Sequence, residues 1–258
     1  MCSSDLLFNL RIPDTGARYP EQSLNPIQLT KDFFVGFHIL WRDRLGQISL
    51  AVTTLFWGAG ATLQFIVLKW AETALNMNLS QGAILQAISA IGVAGGAVWA
   101  ASRIPLKSAL NVLPYGVVMG LLLCIMAIYH IDSLPSYVLF SIAGFDVNIN
   151  LLPAYALLIT VGWLAGYFVV PMNALLQHRG HVLLSAGHSI AVQNFNENLS
   201  VLMMLMLYAM LIWLDVPVPI VITGFGLGVA LTMWLVIKKH QANQAEYDSL
   251  HLIGEAKH

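Results

Sequence analysis

The chain has 258 residues, of which 58% are hydrophobic and 10% charged, with a net charge of −1. Soluble domains average ~45–50% apolar and ~25% charged residues, so a mean hydropathy of +0.73 argues against an ordinary soluble domain and for a membrane protein. The balanced charge gives no support to nucleic-acid binding, and two cysteines, Cys2 and Cys124, are too few for a disulfide scaffold and lack metal-site spacing.

In chain order, "MCSSDLLFNLRIPDTGARYP" has no apolar core of signal-peptide length, and no apolar run precedes Cys2 to make a lipoprotein-type anchor. Residues 1–46 are expected to be a mostly polar cytoplasmic segment. The stretch "DFFVGFHILW" within it is amphipathic, and its aromatics are expected at the membrane interface.

A membrane helix needs ~20 mostly apolar residues. Six windows qualify, roughly 47–70, 82–101, 108–130, 151–172, 189–213 and 216–237. Pro105, Pro153, Pro171, Pro217 and Pro219 are expected at span ends, and Pro114 predicts a kink inside the third span. Residues 134–150 are too short in apolar run to cross and read as an outer-surface loop, folded as a short hairpin. Residues 238–258 form a cytoplasmic tail.

The basic residues set an orientation. Arg11, Arg18, Lys31, Arg42, Arg44, Arg103, Lys107, Arg179, Lys238, Lys239 and Lys257 all fall on one side of a six-span chain, and only Lys69 falls on the other. The opposite loops carry Glu72, Asp132, Asp146 and Asp215. Both termini are therefore expected in the cytoplasm.

Small residues let membrane helices approach where lipid supplies no hydrophobic drive. Gly58 and Gly60, Gly92 and Gly96, and Gly162 and Gly166 are candidates for such contacts. "FWGAG" in the first span and "VGWLAG" in the fourth echo one another, as inverted three-helix repeats do. Gln64 lies seven residues beyond Trp57, on the same helical face, and must bond a neighbouring helix or face a wet cavity.

The main polar feature is "AVQNFNENLSVL", with Gln193, Asn194, Asn196, Glu197 and Asn198. Gln193 with Glu197 and Asn194 with Asn198 are i,i+4 neighbours near the cytoplasmic end of the fifth span. A carboxylate there wants water or a cation. Glu197 either neutralises Arg179 or Arg103 at the surface, or faces a cavity or another domain as a gate or substrate contact. His178, His181 and His188 raise a metal site, but no second histidine cluster supports it, and a solvated loop is expected.

"SLAVTTLFWGAGATLQFIVLKW", "LLPAYALLITVGWLAGYFVVPMNALLQHRG" and "SAGHSIAVQNFNENL" resemble the bacterial lysophospholipid transporter LplT family of the major facilitator superfamily, from about residue 24 to about 240. The resemblance implies one six-helix half, the C-terminal one, of a twelve-helix fold in the bacterial inner membrane. It implies a lysophospholipid substrate, a missing N-terminal six-helix half as partner, and a soluble acyltransferase/acyl-carrier-protein synthetase that re-acylates the product. The first, second, fourth and fifth spans would line the cavity, with the third and sixth supporting them. Trp57, Gln64, Asn173, Gln193, Asn194, Glu197 and Asn198 become the candidate substrate-binding or gating residues, with no catalytic residue, cofactor or metal. The chain departs from the family in lacking the first half, in a longer 131–150 loop, and in Gln64, where some members carry a basic residue. Two alternatives stand beside this reading: a membrane-embedded, metal-dependent lipid-modifying enzyme, and a superfamily transporter for another substrate. An enzyme needs a nucleophile–base pair or a full ligand set at membrane depth, and the sequence displays neither.

Overall fold

The computed structural model describes residues 25–142 and 145–254. Residues 1–24, with Cys2, Arg11 and Arg18, and residues 255–258, with Lys257, lie outside the described residues. A helix α1 (Pro26–Arg42) precedes α2 (Arg44–Ala74) and α3 (Leu79–Arg103). The third span, Leu106–Ile128, begins as a 3-10 turn (Leu106–Val112) and continues as α4 (Leu113–Ile128). Strands β1 (Val138–Ile142) and β2 (Phe145–Asn148) follow, then α5 (Leu152–Leu183), α6 (Ala186–Trp213) and α7 (Val218–Glu246). Helices α2 to α7 supply six segments long and apolar enough to span a bilayer, one for each expected window. The chain is an all-α integral membrane protein with six spans. The expected hairpin is present, with Val138 opposite Asn148 and Ile142 opposite Phe145.

Local chemistry sets the helix starts. Asp43 caps α2 by accepting from the Gly46 amide at 2.7 Å. Asn78 and Gln81 form a reciprocal capping box on α3. Pro153 and Pro219 occupy first-turn positions, where a missing N–H costs nothing. Two proline expectations are corrected. Pro114 sits in the first turn of α4, where the 3-10 turn gives way to α-helix, not in a helix interior. Pro171 lies inside α5, which runs on to Leu183. Pro171, Met172, Leu175 and Leu176 are all buried there, and packing against neighbouring helices carries the helix past the lost hydrogen bond. Arg179 consequently stands on a helix and not in a loop.

The spans pack in a two-fold pattern that exchanges α2, α3, α4 with α5, α6, α7. Helix α2 rests on α6 as α5 rests on α3; α2 touches α7 as α5 touches α4; α4 pairs with α7, and α2 with α5. Three spans per group is an odd number, so the exchange also inverts direction across the bilayer. The echo between "FWGAG" and "VGWLAG" has a structural counterpart here. Gly58 of α2 faces Ser200 and Met204 of α6, while Gly162 of α5 faces Ser89 and Val93 of α3.

The two equivalent seams are not equally tight. Between α3 and α5 the glycines are reciprocal: a Cβ on Gly92 or Gly96 would strike the Ile159 or Trp163 carbonyl, and one on Gly162 or Gly166 the Ser89 or Val93 carbonyl, each well inside van der Waals contact. Between α4 and α7, Gly120 and Gly226 face each other's main chain in the same way. No such pair joins α2 to α6, and α6 is the least covered span, with Leu202, Met203, Met206, Leu207 and Met210 exposed.

At the end of the bundle bearing Asp43 and Leu183, a buried ion pair joins three parts of the chain. Arg179 donates through Nη2 and Nε to the two Asp43 carboxylate oxygens at 2.7 and 3.1 Å, and through Nη1 to the Leu252 carbonyl at 3.2 Å. The Arg179 side chain is 3% exposed and that of Asp43 11%. Ile253 beside it is buried in the main apolar core with Leu45, Ile48 and Leu175. Helix α1 lies across the same end. Its expected interfacial aromatics turn inward for the most part: Phe33 and Phe37 pack on Phe195 of α6, and only Phe34 among them is exposed.

Two stability outcomes follow. Gly162→Leu and Gly166→Leu drive side chains into the α3 backbone, and overpacking of this kind costs ~1–3 kcal/mol or more; the yield of monodisperse protein in detergent should fall sharply. Gly60→Ala, whose Cβ meets nothing within 4 Å, should leave it unchanged. Arg179→Ala strands a buried carboxylate and should cost ~3–5 kcal/mol. Glu246→Gln, at an ion pair with Arg44 whose acidic partner is 74% exposed, should cost ~0–1 kcal/mol. Thermal midpoints of the purified chain check both.

Candidate functional site

Two turns into α6 the polar residues divide by helical face. Val192 and Asn196 are buried, Gln193 and Glu197 half-buried, Asn194 and Asn198 exposed. The Gln193 side-chain amide is the hub. Its Nε2 donates to Glu197 Oε1 at 2.7 Å and to Asn173 Oδ1 of α5 at 3.2 Å. Asn173 lies two residues past Pro171, so the helix that continues through that proline is what brings it here.

The other amides turn back on their own helix. Asn196 Nδ2 donates to the Val192 carbonyl at 2.8 Å, and Asn198 Nδ2 to the Asn194 carbonyl at 2.7 Å. The structure thus unites Gln193, Glu197 and Asn173, and leaves Asn194 and Asn198 on the outer face of the same helix. Glu197 does not neutralise Arg179 or Arg103: Arg179 holds Asp43, and the Arg103 guanidinium lies 5.1 Å over the Trp99 ring. Lacking either cation, the carboxylate is held by an amide donor, the Gln193 side chain.

Trp57 and Gln64 share an exposed face of α2, apart from this cluster. The Gln64 main-chain carbonyl, not its side chain, accepts a bond from Gln86 of α3 at 3.0 Å. His178 accepts from the Gly254 amide, and His188 bonds Ser185. The expected loop for these histidines is replaced by the end of α5 and the start of α6. Among the described residues, no three metal-ligating side chains converge.

Sequence reasoning missed Asp43. Its signal was present in "WRDRLG", an acid at helix-cap position directly before an apolar run, overlooked because the neighbouring arginines were read only for orientation. It also missed Gln86, a lone amide in a span, whose acceptor is a main-chain carbonyl that no pairing of side chains reveals.

Comparison with known proteins now bears on this geometry. The chain is 38% identical over 197 residues to the Lysophospholipid transporter LplT of Pectobacterium carotovorum subsp. carotovorum (strain PC1), covering 76% of this chain and 44% of that protein. It is 38% identical over 200 residues to the proteins of that name from Shigella boydii serotype 4 (strain Sb227) and Escherichia coli O1:K1, covering 77% of this chain and 46% of each. Over this region the chain is similar to proteins named lysophospholipid transporter LplT. The chain spans just under half the length of these relatives. No family model matches the chain, and no solved structure matches it.

Proposed function

We propose that this chain is the C-terminal six-span half of a lysophospholipid transporter of the major facilitator superfamily. It works with six further spans, on the same polypeptide or a separate one. It lies in the bacterial inner membrane with both termini cytoplasmic, residues 1–46 forming the segment before the first span, 47–237 the membrane domain and 238–258 the tail. It moves lysophospholipid toward the cytoplasmic leaflet, where an acyltransferase/acyl-carrier-protein synthetase consumes it, and itself performs no covalent chemistry. The observation that carries the reading is 38% identity, over three quarters of the chain, to proteins that bear this name.

The packing supports it. Helices α3 and α6 are equivalent under the two-fold and are the two least covered spans, so they present the surface a second half would meet. The Gln193–Glu197–Asn173 set lies beside that surface, and lipid cannot hydrogen-bond it. Helices α2 and α5 complete the cavity lining, and α4 and α7, paired through Gly120 and Gly226, brace it from outside. Alternating access rocks one half against the other, so polar groups at the junction exchange partners as it opens.

Orientation is tested by thiol labelling. With Cys2 and Cys124 replaced by serine, cysteines at Ser141 and Ser185 should react with an impermeant reagent from opposite sides of the membrane; labelling from one side would remove the topology. Transport is tested in a reconstituted protein containing this chain and its complementary half. Glu197→Gln keeps size but replaces a charge-assisted hydrogen bond with a neutral one, a change of ~1–1.5 kcal/mol. Lysophospholipid movement should fall about tenfold with expression unchanged. Full activity in Glu197→Gln combined with Asn198→Ala would make the cluster an interfacial cap and move the substrate path to Trp57 and Gln64.

A further inference from the structure

Consecutive helices α6 and α7 meet at the Val216–Pro217 turn, yet along most of their length they do not pack on each other. Both rest on α2, and between them runs an apolar furrow with a cavity volume of about 340 Å³. Met204, Leu207 and Leu211 form its α6 wall; Ile220, Gly224 and Gly228 lie on its α7 wall, over a floor at Thr62. Each hydroxyl in the furrow is turned back on main chain. Thr62 donates to the Gly58 carbonyl at 2.9 Å, Thr232 to the Gly228 carbonyl at 2.8 Å, and Tyr208 to the Phe65 carbonyl at 3.4 Å. These donors are thereby satisfied, and the lining is predominantly apolar.

The glycines distinguish this furrow from every seam described above. Gly92, Gly96, Gly162, Gly166, Gly120 and Gly226 each hold a neighbouring backbone close, whereas a Cβ on Gly224 or Gly228 would meet nothing within 4 Å. The pair keeps a slot open instead of closing one. The volume is at the lower end of the ~300–1,000 Å³ of small-molecule sites, which suits one alkyl chain and not two.

The furrow also has a charged end. Lys69 lies seven residues beyond Thr62, on the same face of α2, toward the end where α6 turns into α7. It is the one Lys or Arg of the twelve that falls on this side of the topology inferred from the sequence. Its partner, Glu72 at 2.8 Å, is 64% exposed, so the pair is weak and its ammonium can turn to a phosphate.

We propose that the α6–α7 furrow binds the alkyl chain of a single-chain phospholipid, with the phosphate at Lys69. The proposal rests on the lysophospholipid reading above and adds a site to it, separate from the Gln193–Glu197 cluster. The occupant is committed by two matched features: an apolar slot for one chain, and a cation at its open end.

The test uses the 258-residue chain in native membranes and two photoreactive probes with a mid-chain diazirine, a lysophospholipid and an uncharged monoacylglycerol. The lysophospholipid should label peptides containing Met204–Leu211 and Ile220–Gly228. Gly228→Leu and, separately, Gly224→Leu fill the slot without striking backbone, and each should cut that labelling about tenfold while the thermal midpoint holds. Lys69→Gln should lower labelling by the phospholipid several-fold and leave the monoacylglycerol unchanged. Labelling spread equally over the outward faces of α3 and α4, or indifferent to both leucines in folded protein, would overturn the site. Equal loss of both probes in Lys69→Gln would overturn the phosphate contact. Labelling needs no transport, so a complete transporter that moves lysophospholipid without furrow labelling sinks this proposal alone; furrow labelling in one that moves none supports it and sinks the transport reading.

Discussion

In a bilayer, apolar helices gain nothing by leaving lipid for one another, so their association depends on how closely their backbones can approach. That constraint governs this structure. Where glycines are reciprocal, between α3 and α5 and between α4 and α7, the helices interlock so tightly that no side chain could be added. Where they are absent or one-sided, contact runs through side chains, as at Gly58 against Ser200 and Met204, or opens into a furrow, as between α6 and α7. The same two-fold scaffold therefore yields a sealed seam on one side and a loosely held α6 on the other. The exposed outer face of α6 and an open furrow beside it both arise from that single inequality.

The ends of the spans leave the hydrocarbon, and there electrostatics replaces close approach. A buried carboxylate or guanidinium is expensive to desolvate, and the Asp43–Arg179 pair offsets that cost by filling hydrogen-bond capacity as well as charge. Asp43 accepts from the Gly46 amide as well as from Arg179, and Arg179 also satisfies the Leu252 carbonyl. One interaction thus caps α2, fixes the end of α5 and pins the tail. The first and fourth spans, equivalent under the two-fold, are thereby tied together at this end.

The fold was largely legible in the sequence. Six runs of ~20 apolar residues can do little else in a membrane, and each became a helix within a few residues of its expected start. The later ends of the fourth and sixth spans were missed because apolar windows stop at the lipid boundary while hydrogen-bonded helix does not; Pro171 failed as a stop for the same reason that buried neighbours hold α5 past it. The glycine pairs were legible as packing, but not which helix each would meet. Gln193 and Glu197 could be joined by their spacing of four; their link to Asn173 could not, because it depends on how α5 and α6 lie side by side. The furrow was invisible for a related reason. Gly224 and Gly228 have the spacing of a packing motif, and only the missing neighbour shows that they serve an opening.

The loose helix and the polar cluster belong to one argument. Interlocked backbones have one arrangement, and α6, which carries Glu197, is not interlocked with a neighbour through reciprocal glycines. Helix α6 is held instead by side chains: Ser200 and Met204 lie against Gly58, Ser189 against Gly180, Phe195 against α1, and Tyr208 bonds the Phe65 carbonyl. Gln193 suits such a position: its amide spans Glu197 on its own helix and Asn173 on α5, two acceptors whose separation changes when α6 shifts. The i,i+4 bond to Glu197 travels with the helix, while the bond to Asn173, already the longer at 3.2 Å, is the one that a shift breaks. Of the two bonds at this amide hub, only the one to Asn173 joins two helices.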